Sequence, residues 1–543
     1  MADTANLALF RASAIELSCP GHPSRNSTIY GISDRAAPEF AILPPMKSLV
    51  VILLLSLYSF ASIAQETGLP VPENDTLRDA TTQPPESVPT LEEQLKDALA
   101  YVDVWLEAQQ AYDALPGISV GIVKDQDLIW SKGYGYADIK KKIPATPETV
   151  YSICSITKLF TSIAIMQLYE LGKLRLDDSL STHLPDITIQ QQFSDSEPIT
   201  LRSLLTHSSG LPREADFPYW TGPQFKFPTH EEFLEKLPSQ QTQYPASRYF
   251  QYSNLGMALL GEVIEKVSGL PYDEYIEENI LKPLRLNNTT STIPPELLGT
   301  RLATGYSSLN RQGEREVVPF YNARAITAAA GYSSTVEDLA RFASWQFRLL
   351  ANGGKEIIRA STLREMQRVH WVDPDFKAHW GLGFTVFNHG GAKLTGHWGA
   401  CPGYRTLLLL DPEEKLGIIV MINAMENPWR YAQQIRQIVL KGLKEKSADP
   451  ATVDLIPYTG LYNAQPWHGE RRVVPWYGHL AVLDLPTASP LEDMDLLQHT
   501  DNDTFRRIRR DQTLGEEVRF ERDPKTGKVI RMWTNSNYAA RVK

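Results

Sequence analysis

From Ser152 to Tyr169 the chain reads SICSITKLFTSIAIMQLY, with Lys158 as its one charged residue. Leu159, Phe160, Ile163, Ile165, Met166 and Leu168 cover most faces of a helix, so the spacing predicts a helix buried nearly all round. Upstream, Ile118, Val120 and Ile122 alternate along GISVGIV, and the chain runs on into DLIWSKGYG, the pattern of a strand entering a hairpin. A further helix is predicted from Leu91 through EEQLKDALAYVDVWLEAQQAY, and another after Tyr252-Ser253-Asn254 in LGMALLGEVIEKVSG. KLTGHWGACPGYRTLLLLDPEEKLGIIVMIN predicts strands on either side of an Asp-Pro turn. After KSADPAT the pattern changes. RRVVPWYGHLAVLDLP and GEEVRFERDPKTGKVIRMWTN alternate apolar and polar residues, broken by Gly or Asp-Pro, and predict the hairpins of a small all-β domain over 452–543.

The first ninety residues are of another kind. MKSLVVILLLSLYSFASIAQE starts at Met46 with Lys47, continues as an apolar run and ends in small residues near Ser62 and Ala64, the signature of a secretory signal peptide over 46–64. The run is roughly 16 residues, short of the ~20 that span a bilayer, so no stable membrane span is expected. The true start is then expected at Met46, with 1–45 a translation-start artefact and the exported protein beginning at Gln65; a genuine N-terminal extension followed by an uncleaved anchor is the other reading. No cysteine follows the cleavage site, so a lipid anchor is not indicated. Residues 65–90, rich in Pro, Thr and acidic residues, read as a solvated linker. The main region then spans 91–446.

Composition narrows the chemistry. The chain has 543 residues, 42% hydrophobic and 22% charged, which suits a globular protein with a large core. A net charge of -10 without a Lys/Arg block argues against nucleic acid as a partner. Three cysteines, Cys19, Cys154 and Cys401, make no disulfide framework and no metal-site spacing. HEE at His230 reads as the capped start of a surface helix, and metal catalysis has no support.

Ser155 and Lys158 are three apart in the first turn of the predicted core helix, so they share a face. Burial disfavours a charged lysine and turns it into a base; a lysine snorkelling from the helix end is the other reading of this stretch alone. Two further stretches decide between them: Tyr252-x-Asn254 before an apolar helix, and His397-Trp398-Gly399 on a strand. Ser-x-x-Lys, Tyr-x-Asn and His/Lys-x-Gly, in that order, resemble the serine β-lactamase and penicillin-binding protein superfamily. The tyrosine is similar to that of the class C branch, with its D-alanyl-D-alanine carboxypeptidases, D-aminopeptidases and esterases. SLLTHSSGLP, GYSSTVEDLARF and HWGLGF also look like that family's landmarks.

The resemblance implies an α/β (α+β) sandwich, an antiparallel sheet flanked by helices plus an all-helical region, with the tail as a small β-barrel-like domain. It implies acyl transfer through Ser155, with Lys158 and Tyr252 sharing the proton work. Asn254 would hold the Lys158 amine and the substrate amide. The backbone N–H groups of Ser155 and of Ala400, the residue after Gly399, would form the oxyanion hole. No cofactor is implied. The substrate expected is a small molecule or short peptide of cell-wall type: a D-amino-acid peptide, small ester or amide. The alternatives are a carboxylesterase, a true β-lactamase and a silent binding protein. His397 stands where β-lactamases mostly carry a lysine. With an ordinary pKa near 6.5 it offers a partial charge, so slow turnover of penicillins is expected. Any activity depending on a bound carboxylate should fall as pH rises through that value.

Several residues invite other readings. GISVG, centred on Ser119, fits the G-x-S-x-G elbow, but an elbow must turn sharply from strand to helix, and here the alternation continues. KTG at Lys525–Gly527 matches the family's usual third motif but sits in a predicted turn. His207 in LLTHSSGLP reads as structural. Cys154 and Cys401 read as two small buried hydrophobes, with a disulfide as the alternative. All motifs precede the tail, so its removal is expected to leave Ser155 reactive.

Overall fold

The structure, a computed structural model, describes residues 90–297, 299–376, 379–445 and 453–542. The expected extension, signal peptide and most of the 65–90 linker lie outside the described residues, as does the link at 446–452. Among the described residues no helix is long and apolar enough to cross a membrane.

Helix α1 (Leu91–Tyr112) opens with a capping box, the Thr90 hydroxyl accepting from Glu93 N–H while the Glu93 carboxylate accepts from Thr90 N–H. Strands β1 (Gly117–Lys124) and β2 (Asp127–Asp138) follow as a hairpin. The core helix α2 (Thr157–Glu170) is buried from Thr157 to Leu168. It starts later than its pattern suggests: Tyr151–Ser152 is a short strand and Cys154–Ile156 a 3-10 turn. Ser155 therefore sits in a tight turn leading into the helix. Helices α3 (Asn254–Ser268) and α4 (Val336–Asn352) pack near it. Then come β3 (Thr385–His389), β4 (Ala392–Cys401), β5 (Tyr404–Asp411), β6 (Leu416–Ile422) and α5 (Trp429–Lys444).

The strands form one antiparallel sheet in the order β2-β1-β6-β5-β4-β3, extended by Ile143–Pro144 at one edge and by His379–Trp380 and Trp371–Val372 at the other. The period-2 alternation of a strand splits its side chains between two cores. Leu408, Leu410, Ile419 and Met421 face α2, α3 and α4; Leu407, Leu409, Ile418 and Val420 face α1 and α5. Ser119 pairs with Gly133 and Met421 in mid-strand. Its hydroxyl donates to the Thr146 carbonyl and meets the Tyr151 hydroxyl, both at 2.8 Å. The elbow reading is thereby excluded.

The tail is a closed eight-stranded antiparallel barrel running from Gly460–Asn463 to Asn537–Arg541. Tyr458, Tyr462, Phe505 and Phe520 fill its interior. Lys525–Gly527 lies in a turn closed by Asp523, whose carboxylate accepts from the N–H groups of Lys525 and Thr526 at 2.9 and 2.7 Å. One side of the barrel is also core to the main region. Val474, Trp476, Ala481 and Leu483 pack with α1 and α5, and Trp476 meets Tyr101 edge-on at 5.4 Å. Trp105 donates to the Thr487 carbonyl at 3.0 Å.

Removing the tail would uncover Tyr101 and Trp105, so its loss is expected to lower the stability of the main region as well. Trp476→Ala should lower unfolding free energy by about 3–5 kcal/mol, measured by urea denaturation with Ser155 far from the change. A loss below about 1 kcal/mol would show that the barrel is not part of the shared core.

Candidate active site

The turn carrying Ser155 is fastened to β4 in two ways. Gly399 passes so close that a Cβ there would lie 2.3 Å from the Ile153 carbonyl oxygen, so only glycine fits at this contact. Cys154 and Cys401 form a disulfide with Cα atoms 5.9 Å apart. The preferred sequence reading of these cysteines as separate hydrophobes is corrected; 247 residues of chain separate them, and the fold brings them together on either side of the site. Cys154 holds a φ of 49°, a left-handed conformation that costs a non-glycine residue of order 1–3 kcal/mol and persists where the surroundings impose it.

Lys158 is fully buried. Its Nζ lies 3.1 Å from Ser155 Oγ, 2.8 Å from Asn254 Oδ1 and 2.7 Å from the Ala329 carbonyl. Burial holds its pKa well below the lysine range; Glu214 opposes that shift and Arg213 adds to it. A neutral amine has two N–H donors and one lone pair. Asn254 and Ala329 take the donors, so the lone pair faces the Ser155 hydroxyl. Once protonated, the ammonium has three donors for the same three acceptors. The site therefore accommodates both states of a base.

Asn254 opens α3 behind Ser253, whose hydroxyl caps Gly256 N–H at 2.9 Å. Its orientation is set by Glu214, which accepts from Nδ2 at 2.9 and 3.0 Å and from the Tyr219 hydroxyl. A carboxylate can only accept, so the amide oxygen must face Lys158. In this arrangement the Asn254 NH2 group donates to Glu214.

Tyr252 lies over Lys158, whose Nζ is 4.8 Å from the ring centroid, with the Arg213 guanidinium at 5.0 Å. Burial pushes its pKa upward, against smaller downward effects from a hydrogen bond with Ser155 and from Arg213. The phenol stays protonated. His207 packs against it at 4.3 Å between rings and accepts from Ser253 N–H at 3.2 Å; its role is to seat Tyr252. Trp380 closes the same cluster at 5.0 Å from His207 and 5.9 Å from Tyr252.

His397 differs most from expectation. Its Nδ1 is 2.7 Å from the Trp398 carbonyl, so Nδ1 carries the proton, and Nε2 is buried without a partner. Burial, reinforced by Lys158, lowers its pKa to about 3. The imidazole is neutral at any working pH. The expectation of a partial charge at neutral pH rested on the free-imidazole value, from which burial moves this group downward.

Ser155, Arg213, Tyr252, Trp380, Trp398 and Ala400 line one cleft of about 360 Å³. Glu214, Arg213, Trp380 and the Ala329 carbonyl were not singled out in the sequence; Trp380 belongs to HWGLGF, and the others carry no local signal. Among the described residues one trio could hold a cation, His230, Glu262 and Glu265, with ligand atoms within 4.8 Å of one another. It does not share the Ser155 cleft, and His230 is bonded there to Glu262 at 2.9 Å.

Comparison with known proteins gives one consistent likeness. The Beta-lactamase family profile matches residues 102–443. "Protein flp" of Staphylococcus aureus (strain MW2) is 30% identical over 336 residues, 60% of this chain and 63% of its own length; the chain thus spans less than two thirds of that relative. Among solved structures, the octameric penicillin-binding protein homologue from Pyrococcus abyssi has a TM-score of 0.55 at 28% identity, over 82% of this chain and 100% of its own. A D-stereospecific amidohydrolase from Streptomyces sp. has a TM-score of 0.51 at 26% identity, over 63% and 97%.

The buried histidines give a stability test. Below pH 6.5 the unfolded chain protonates a histidine that the fold keeps neutral down to about pH 3, so His397 stabilises fully above 6.5 and progressively less as pH falls between those values. Between pH 6.5 and 4.5 the protein should lose about 2 kcal/mol more than His397→Gln, measured by urea unfolding. Equal losses would mean that His397 is not held neutral.

Proposed function

Starting from the fact that the chain belongs to the β-lactamase family, we propose that it is a serine hydrolase working through an acyl-enzyme at Ser155. The contact that carries this reading is the Lys158 amine, buried, with Ser155 Oγ 3.1 Å away and two fixed acceptors for its own hydrogens. Ser155 Oγ bonds to the substrate carbonyl carbon while its proton passes to Lys158. The carbonyl electrons move onto oxygen, facing the N–H groups of Ser155 and Ala400; such donors contribute about 2.7–4 kcal/mol each. On collapse the C–N or C–O bond breaks, and the leaving group takes a proton from Tyr252, which Lys158 replenishes. Water then repeats the sequence in reverse roles. No cofactor enters.

The substrates proposed are short D-amino-acid peptides, small amides or esters. The likeness to a D-stereospecific amidohydrolase supports this. So does a neutral His397, which gives an antibiotic's carboxylate no cation; penicillins should acylate Ser155 but leave slowly. We assign the protein to an exported location, which a Cys154–Cys401 disulfide fits and for which the Met46–Ala64 stretch would be the signal.

A fluorophosphonate probe should label the protein, with labelling abolished in Ser155→Ala and Lys158→Met and retained in Ser119→Ala. Tyr252→Phe should lower kcat on a D-aminoacyl amide by about 10²–10⁴. An unlabelled wild-type protein would favour a silent binder, and labelling that survives Ser155→Ala would place the nucleophile elsewhere.

A further inference from the structure

Beside the Ser155 cleft lies a larger cavity of about 730 Å³, and Phe387 and Trp398 line both. The two spaces are neighbours across these rings. β3 pairs with β4 only as far as Gly396, so from His397 onward β4 is unpaired on that side, where Trp398 is 42% exposed. The unpaired edge of β4 at Trp398 therefore borders both spaces.

Arg405 lines the cavity from β5, directly opposite Ala400 of β4. Its Nε is buried with no acceptor. Burial weighs against its charge and Glu426 favours it, but Glu426 is shared. Its carboxylate is 4.0 Å from Arg315 and 3.9 Å from Arg430, and it accepts from Asn427 N–H at 3.0 Å. Arg430 also pairs with Asp113. Three guanidinium groups thus face two carboxylates; Nε is left without an acceptor on Arg405 and on Arg430, and of these two Arg405 is the one that lines the cavity. Trp429, at the start of the sixteen-residue helix α5, lines the cavity too and adds the positive end of a helix dipole. A half-buried guanidinium with an open Nε presents a fork that matches a carboxylate. Phe387, Trp398, Leu407 and Trp429 supply apolar wall, while Asn388, His389, Glu426, Asn427 and Gln433 add polar lining.

We infer that this cavity is a specificity subsite for a carboxylate-bearing aromatic or apolar group of the substrate, with Arg405 as its anion-binding residue. The charge recognition that a neutral His397 cannot supply is then placed on the next strand. The inference depends on the acyl-transfer reading only for its use in turnover, since binding needs no reaction.

The test is calorimetric binding of 3-phenylpropionate and of 3-phenylpropionamide to the full chain, to Arg405→Gln and to Arg405→Lys. The carboxylate should bind at least tenfold more tightly than the amide. Arg405→Gln should erase that ratio and Arg405→Lys should keep part of it. Equal binding of the two compounds by the wild-type protein, or a preference that survives Arg405→Gln, would overturn the inference. Fluorophosphonate labelling of the same samples separates the two readings. A labelled protein without carboxylate preference contradicts the subsite alone; a preference without labelling upholds the subsite and contradicts the reaction.

Discussion

Water stabilises an ammonium far better than a protein interior does, and the removal of water from Lys158 is the constraint on which the site depends. Burial pushes the amine toward its neutral form; the acceptors around it decide where its lone pair points. Two of them must be fixed, or the lone pair would not face Ser155. The Ala329 carbonyl is fixed by the backbone, and the Asn254 oxygen is fixed by Glu214, which leaves the amide one orientation. Tyr219 in turn holds Glu214. The chemistry proposed for Ser155 therefore rests on residues that act through the Lys158 amine.

A second constraint concerns distance. A nucleophile in a tight turn is useful only if the oxyanion donors stay beside it, since misplacement by about 1 Å can cost 10²-fold. Gly399 lets the backbone of β4 touch the turn, and the Cys154–Cys401 disulfide closes the same contact covalently. The sheet behind β4 is gripped from both faces, by α2, α3 and α4 on one and by α1 and α5 on the other. The barrel completes the second core, which links a domain remote from the reaction to the rigidity of the strand beside it.

The elements that could be read from the sequence are those whose signal is local. The core helix, the β1–β2 hairpin and the alternating strands of the tail follow from periodicities of 3.6 and 2. Ser155, Lys158, Tyr252 and Asn254 stand in short spacings whose family resemblance is strong, and the fold gathers them. What escaped reading is set by long-range contact. Glu214 gains its meaning from Asn254, 40 residues on; the Ala329 carbonyl is backbone, which no side-chain letter marks. The disulfide joins residues 247 apart. His397 was read at its solution pKa because its charge depends on burial, and burial is a property of the packed molecule. Arg405 carries no local signal, because its open Nε depends on how the carboxylates pack around it.

The central claim is that burial shifts the Lys158 amine far toward its neutral form. Lysine labelled with ¹³C at Cε, assigned through Lys158→Met, allows its titration to be followed directly by NMR. The Lys158 resonance should titrate well below the ordinary lysine value of 10.5, and the rate of Ser155 acylation should rise along the same curve. A Lys158 amine that titrates at or above 10.5, with acylation already at full rate near neutral pH, would contradict the assignment of Lys158 as the base.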